Sequence, residues 1–105
     1  MSDIKSSVSI VIPHWNNVEV ISECLESISA TDFDNFEIIV VDNASSDNSV
    51  SWVKSNYPDI ILIENDKNYG YAGGCNIGAE VASGDYLIFL NNDTVQDKNW
   101  ISNLI

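Results

Sequence analysis

The segment FEIIVVDNASSDNS, residues 36–49, is the clearest indication of the fold. Its first half, Phe36–Asp42, predicts a buried strand, because an apolar, β-branched centre is flanked by polar turns. Its second half is rich in small polar residues that cap helices, and Ser46 or Asp47 is predicted to start a helix that ends before Pro58. The stretch therefore predicts one strand–loop–helix unit with a polar loop at the carboxyl end of the strand.

The same pattern precedes this stretch. The run VSIVIP, Val8–Pro13, predicts another strand, which proline stops. Apolar residues then recur at helical spacing from Val18 to Ile28, and Asn16 or Asn17 is suited to cap that helix.

The pattern also continues downstream. Strands are predicted at Ile60–Asn65 and over DYLIFL, residues 85–90. Between them lies a glycine-rich segment, predicted to become a helix through Ala79–Ala82 with Gly84 as its stop. A last helix, capped by Asp97, is predicted to carry Trp100, Ile101, Leu104 and Ile105 on its apolar side.

Successive β–α units predict the α/β class, with a mostly parallel sheet of about four strands. Helices are expected on both faces of this sheet, and a chain of 105 residues forms one domain. In such sheets ligands bind outside the carboxyl ends of the strands. We expect the polar residues there to converge on one edge; they are Pro13–Asn16, Asp42–Asn43, Glu64–Asn65 and Asn91–Asp93.

The charge balance excludes some classes of partner. The chain has 16 acidic residues and 4 basic ones, all lysines, for a formal net charge of −12. Nucleic acid is therefore not expected as a partner, because phosphate backbones require a basic patch. A smaller phosphorylated ligand would need backbone N–H groups, a divalent cation or residues outside this chain.

Location and redox state follow from simpler features. Residues 1–5 lack the pattern of a secretion signal, and no apolar run is long enough to span a bilayer, so a cytoplasmic location is expected. Cys24 and Cys75 fall in helix-like contexts, and we expect buried, reduced thiols.

Other nucleotide-binding folds lack their signatures here. The first strand–helix turn, PHWNN, contains no glycine, which argues against a dinucleotide fold, and no Gly-Lys-Ser/Thr sequence occurs, which argues against a P-loop. A receiver-type phosphoacceptor at Asp42 would need paired acids and a lysine at a later strand end, and neither is evident.

Four motifs, in order, carry a resemblance to a known family: VSIVIPHWNN (8–17), FEIIVVDNASSDNS (36–49), NYGYAGGCNIGAEVASGDY (68–86) and LIFLNNDT (87–94). Together they resemble the N-terminal, nucleotide-sugar-binding half of family 2 glycosyltransferases, which have the Rossmann-like GT-A fold. Rhamnosyltransferase-like members are the most similar. Residues 1–105 would be the donor-binding part of a longer domain, an expectation that the uncapped last helix supports.

The resemblance implies an inverting, metal-assisted transfer with Mg²⁺ or Mn²⁺ as cofactor. The donor would be a UDP- or dTDP-linked sugar, and the acceptor would be a carbohydrate or lipid-linked molecule of polysaccharide biosynthesis. The full-length protein would act at the inner face of the membrane. The general base is expected beyond Ile105, so residues 1–105 alone should not transfer sugar. The alternative is a nucleotide-binding or interaction module without chemistry, which pairs with a partner or with itself.

By resemblance, Pro13 and Trp15 line the base pocket, although Trp15 also suits packing at a strand end. Asp42 would accept a hydrogen bond from the ring N–H of a pyrimidine or from the ribose, or else cap the DNASSD turn. Asn43 would assist the donor or shape that turn.

The glycine-rich segment supplies three further binding residues by resemblance: Asn68, Gly70 and Asn76. Its glycines would allow close backbone approach before a helix whose N-terminus faces a phosphate. Small residues for helix–sheet packing are an equally open interpretation. Asn76 and Gly78 are expected to hold this helix against the fourth strand.

Asp93 matches the last acid of the family's metal-binding turn, and it would hold the cation on the donor diphosphate. Asn91 and Asn92 stand where acids are common, and Asn92 would bind the sugar or a water of the metal. A polar turn that caps the next helix is the alternative. His14 is interpreted as a residue of the pocket rim or of the solvent-exposed surface, not as a base.

Overall fold

The computed structural model describes residues 7–104. Predictions about residues 1–5 and about Ile105 therefore lie outside the described residues. The strands are β1 (Val8–His14), β2 (Phe36–Asp42), β3 (Ile61–Glu64) and β4 (Tyr86–Phe89), and the helices are α1 (Val18–Ser29), α2 (Ser49–Asn56), α3 (Gly70–Val81) and α4 (Trp100–Leu104).

The strands form one parallel sheet in the order β3-β2-β1-β4, which confirms the predicted α/β class. Strand β1 lies in the centre, and every one of its residues is buried. Its last residue, His14, pairs with Asp42 at the end of β2, and Asp42 pairs with Glu64 at the end of β3. Along the sequence, β2 and then β3 are added on one side of β1, and β4 is added on the opposite side of β1. The carboxyl edge between β1 and β4 is therefore a topological switch point, the usual ligand position in such sheets.

Helices cover both faces of the sheet, as predicted. Successive β1 side chains point to opposite faces. Ile10 and Ile12 belong to a core that includes Ile21 and Leu25 of α1 and also residues of α2 and α4. Val11 belongs to the opposite core, on the face where α3 packs against β1 and β2. Trp100 and Ile101 of α4 are buried as predicted, but Leu104 is 65% exposed.

Helix α3 begins earlier than predicted, since the glycine-rich segment lies within the helix instead of preceding it. A Cβ atom at Gly74 would lie 2.9 Å from Cβ of Pro13, and one at Gly78 would lie 3.0 Å from Cγ2 of Val41 and overlap Val11. These glycines let α3 lie directly on β1 and β2. The packing interpretation of the segment is therefore confirmed, and its expected contact with the fourth strand is wrong for Gly78.

Gly84 does not stop this helix, which ends at Val81 with Ala82 as its C-cap. A Cβ atom at Gly84 would lie 2.7 Å from the backbone nitrogen of Ser9, so Gly84 instead allows a close approach to β1. Cys24 in α1 and Cys75 in α3 are buried free thiols, as expected. None of the helices found within residues 7–104 has the length and apolar character needed to cross a membrane.

Candidate functional site

A cleft of about 270 Å³ lies at the carboxyl edge of the sheet, at the switch point between β1 and β4. Most of the predicted binding residues line it together. The lining consists of Pro13, His14, Trp15, Asn43, Asn68, Gly70, Tyr71 and Asn92. The expectation that loops distant in sequence converge on one edge is thus met for these residues.

A larger groove, about 350 Å³, is lined by residues of α1 and α2 and by Tyr57, and it includes Glu23, Glu26 and Trp52. Its carboxylates would repel an anionic ligand, and it contains none of the strand-end residues. The smaller cleft at the switch point is therefore the candidate site, because position and chemistry outweigh volume.

Trp15 projects from the loop after β1, and it is 54% exposed. The neighbouring Asn16 has a left-handed backbone, with φ at 54°, and its Oδ1 accepts hydrogen bonds from the backbone nitrogens of Ser46 (2.8 Å) and Asp47 (3.3 Å). The backbone N–H of Asn16 also donates to Oγ of Ser45. These contacts attach the Trp15 loop to the loop after β2. The indole is thus available as a flat surface for a ligand, and Trp15 is not a core residue.

Asp42, at the end of β2, is buried with 3% of its surface exposed. Its carboxylate accepts two hydrogen bonds from Ser45, one from the backbone N–H (2.9 Å) and one from Oγ (2.6 Å). Asp42 therefore caps the turn after β2, the alternative that its sequence left open. It is absent from the residues that line the cleft, and its contact with a base stays a prediction.

Asn43 connects the end of β2 to the residue that follows β3 and to the start of α3. Its Oδ1 accepts hydrogen bonds from Nδ2 of Asn65 (2.9 Å) and from the backbone N–H of Tyr69 (3.3 Å), and its Nδ2 donates to the carbonyl of Gly70 (3.2 Å). Asn68 accepts a hydrogen bond from the backbone N–H of Gly70 at 2.8 Å. Gly70 has a φ of 77°, which favours glycine. Together these residues hold the first turn of α3 in the cleft, and a helix N-terminus there favours an anionic ligand.

His14 lines the cleft, in agreement with its predicted place at the pocket rim, but only 1% of its surface is exposed, so the alternative place on the solvent-exposed surface is wrong. Its Nε2 lies 2.9 Å from Oγ of Ser49, and its Nδ1 lies 2.9 Å from Nδ2 of Asn92. Burial lowers the pKa of the imidazole, and the nearby carboxylates of Asp42 and Asp47 oppose this shift only in part. At neutral pH the imidazole, which lines the cleft, is therefore uncharged.

Asp93 is exposed on the turn that follows β4, next to Asn92. Among residues 7–104, no three His, Cys, Asp or Glu side chains are grouped so that they could hold a metal ion. A cation at Asp93 would therefore take its other ligands from a bound molecule and from water. Mg²⁺ and Mn²⁺ accept such oxygen ligands, so this donor set fits a cation carried on a diphosphate.

Asn76 lies apart from the residues that line the cleft. It is exposed in the middle of α3, a helix that packs mainly on β1 and β2, and its expected contact with the fourth strand stays a prediction. Tyr71, by contrast, lines the cleft and was not predicted. Tyr71 lies in the first turn of α3, and the sequence did not indicate that this helix begins at Gly70. Its place in the cleft was therefore missed.

The chain is similar to several curated glycosyltransferases. It is 35% identical over 86 residues to an uncharacterized glycosyltransferase of Haemophilus influenzae, covering 82% of this chain and 29% of that protein. It is 36% identical over 92 residues to a poly(ribitol-phosphate) β-glucosyltransferase of Bacillus spizizenii, covering 82% of this chain and 14% of that protein. The chain thus spans less than a third of the length of each of these relatives.

Solved structures share the fold. A Pyrobaculum calidifontis mannosyltransferase, PcManGT, in complex with GDP-Man and Mn²⁺ matches 96% of this chain and 32% of its own, with a TM-score of 0.87 and 26% identity. Staphylococcus aureus TarS in complex with UDP-GlcNAc matches 93% of this chain and 30% of its own, with a TM-score of 0.81 and 26% identity. The sequence profile of Glycosyl transferase family 2 matches residues 9–105, and the chain belongs to that family.

Proposed function

We propose that the cleft binds a nucleotide-diphosphate sugar, and that the chain is the donor-binding part of a glycosyltransferase domain. The observation that carries this proposal is the set of residues that line the cleft at the switch point, with exposed Trp15 and the first turn of α3 among them. Two structural relatives, solved with GDP-Man and Mn²⁺ and with UDP-GlcNAc, support the same class of ligand.

Each part of the donor has a suitable partner. Trp15 stacks on the nucleobase, and Pro13 forms the floor beside it. Asp42 accepts from the ring N–H of a pyrimidine with lone pairs that Ser45 does not use, as in a UDP- or dTDP-linked donor. The diphosphate lies near the N-terminus of α3, where backbone N–H groups offset the lack of basic side chains.

Asp93 holds the divalent cation, and Asn92 lies beside it. When bound, Mg²⁺ or Mn²⁺ neutralises the charge that develops on the leaving diphosphate. We further propose that the sugar passes with inversion to a hydroxyl of a carbohydrate or lipid-linked acceptor at the inner face of the membrane. A carboxylate outside this chain would take the proton of that hydroxyl. The rhamnosyltransferase-like subtype stays a prediction.

A second function is favoured by apolar side chains on β4, which is one of the two edge strands of the sheet, β3 being the other. Tyr86, Leu87 and Phe89 are between 41% and 49% exposed. Such an edge can pair with another chain, so an interaction module without chemistry, one that joins a partner or a second copy, is the alternative.

Calorimetric titration separates the two functions. The chain is titrated with UDP, dTDP, GDP and UDP-GlcNAc, each with and without Mn²⁺, and its mass is measured by sedimentation velocity. Donor binding predicts saturable heat that Mn²⁺ enhances. The absence of binding to every nucleotide, together with a dimer, would support the interaction module.

A further inference from the structure

We infer that His14 is a positioning residue that sets which atom Asn92 offers to the ligand. His14 holds the amide nitrogen of Asn92, so the amide oxygen, Oδ1, is the atom that can face the cleft. The inference rests on the proposed donor site for its consequence in binding, but the hydrogen-bond arrangement that it requires can be tested without a ligand.

The arrangement of the imidazole follows from its contact with Asn92. Nδ2 of Asn92 carries two hydrogens and has no acceptor capacity, so Nδ1 of His14, 2.9 Å away, must be the unprotonated nitrogen. The proton of the neutral ring is then on Nε2, which donates to Oγ of Ser49 at 2.9 Å. Ser49 is itself buried, and its backbone N–H donates to Oδ1 of Asp47 at 2.9 Å. Oγ of Ser49 can accept the hydrogen bond from Nε2, so the first residue of α2 is compatible with the tautomer that Asn92 requires.

The same contact fixes the orientation of the Asn92 amide. With Nδ2 directed at the buried imidazole, the opposite side of the amide presents a hydrogen-bond acceptor. Asn92 is partly buried, and it lines the cleft. The ligand group that it recognises must therefore donate a hydrogen bond. A hydroxyl of the donor sugar and a water bound to the cation share that chemistry.

The opposite tautomer would have the opposite effect. A proton on Nδ1 would face the NH₂ group of Asn92, and the amide would have to turn by 180° to accept from it. Asn92 would then present two N–H donors to the cleft. The charged groups near the ring are the Asp42 and Asp47 carboxylates. Because Oγ of Ser49 can donate to Nε2 as well as accept from it, the contact between Asn92 and Nδ1 alone fixes the arrangement.

The first test needs no ligand. His14 is the only histidine, so nitrogen-15 NMR of the imidazole reports on it alone. We expect at neutral pH a pyridine-like Nδ1 and a protonated Nε2, and in Asn92→Ala a mixture of tautomers. A protonated Nδ1 in the unaltered chain would overturn the inference, whether or not the protein binds nucleotides.

The second test compares variants in titrations with UDP and with UDP-GlcNAc, each with Mn²⁺. His14→Leu removes the acceptor for Asn92 and should weaken binding by about fivefold, the scale of one hydrogen bond. His14→Gln supplies a carbonyl acceptor and should restore most of the affinity. Ser9→Ala, a buried polar change near the far end of β1, is the matched control for lost stability.

The two ligands identify the recognised group. A loss with UDP-GlcNAc alone indicates a sugar hydroxyl, whereas a loss with both ligands indicates a water on the cation. If His14→Leu and His14→Gln bind as tightly as Ser9→Ala, the positioning role is wrong. If no variant and not even the unaltered chain binds a nucleotide, the proposed function fails, and the imidazole spectrum alone decides the inference.

Discussion

Nδ2 of Asn92 lies 2.9 Å from Nδ1 of His14, although 78 positions separate the two residues in the sequence. His14 ends β1, and Asn92 follows β4, the neighbouring strand across the switch point. The two side chains therefore connect the end of β1 with the loop after β4, on the two sides of the switch point. This contact explains how a loop of two asparagines and one aspartate is held next to the Trp15 loop.

Replacing Trp15 should weaken nucleotide binding without loss of fold. The indole is 54% exposed, so Trp15→Ala removes a stacking surface and little core packing. We expect a loss of about 1–3 kcal/mol in the free energy of binding UDP, the usual scale of base–aromatic stacking. Trp15→Phe should retain part of the affinity. Trp52→Phe, in the groove of α1 and α2, is the control, and an equal loss there would contradict the role of Trp15.

Asp93→Asn should reduce the part of nucleotide binding that depends on the cation. Its carboxylate is the exposed acid of the turn after β4, and an amide is a much weaker ligand for Mn²⁺. We expect affinity for UDP with Mn²⁺ to fall at least about tenfold, about 1.4 kcal/mol, with little change when Mn²⁺ is absent. Asp85→Asn changes an exposed acid at the other end of β4 and serves as the matched control. Unchanged Mn²⁺ dependence in Asp93→Asn would remove the proposed metal site.

The stability of the chain should fall on mild acidification because of His14. Burial lowers the pKa of its imidazole below the ordinary value of 6.5, so below pH 6.5 the unfolded chain binds more protons than the folded one. Stability is therefore greatest above pH 6.5 and decreases as the pH falls from there toward the folded-state pKa. The pKa values of Glu37 and Asp47 are also lowered, but their effect lies at more acidic pH.

Thermal melts between pH 7.5 and 5.5 measure this dependence. The unaltered chain should lose stability across that range, and His14→Gln should show a flatter profile. A profile of the same slope in both proteins would mean that another group is responsible.

Gly78→Ala should destabilise the fold, although alanine is the better helix former. A Cβ atom there overlaps Val11 and lies 3.0 Å from Cγ2 of Val41, so α3 would have to move away from the sheet. We expect the free energy of unfolding to fall by about 1–3 kcal/mol, the scale of an overpacked core. Asn76→Ala, at an exposed position of the same helix, should not destabilise it, and chemical denaturation of both variants tests the difference.

The sequence predicted the strands well because their chemistry is local. Strand β2 runs from Phe36 to Asp42 as expected, since polar turns bound a run of β-branched residues. The start of α3 was missed because glycine has low intrinsic helix propensity, so Gly70, Gly73 and Gly74 favoured a loop. Packing against β1 outweighs that propensity in the folded chain. No local pattern could show this, because it depends on contacts with a distant strand.

The candidate site was predictable in position but not in detail. Parallel strands bring their carboxyl ends together, and this alone placed Trp15, Asn43 and Asn92 on one edge. The burial of His14 depends on Ser49 and Asn92, which lie 35 and 78 positions away, so its sequence context could not reveal it. The partner of Asp42, Ser45, lies three residues away, and the sequence indicated two roles for Asp42, a turn cap and a contact with the base. Only the geometry showed which hydrogen bonds form.

NMR chemical shifts of the backbone amides can show where the chain binds a nucleotide sugar. With UDP-GlcNAc and Mg²⁺ added to the isotope-labelled chain, we predict shifts confined to the loops after β1, β2 and β4 and to the first turn of α3. Mn²⁺ in place of Mg²⁺ should broaden the signals around Asp93 most strongly. Shifts confined to the groove beside Trp52 and Tyr57, or the absence of any shift at saturating ligand, would mean that the cleft at the switch point is not a donor site.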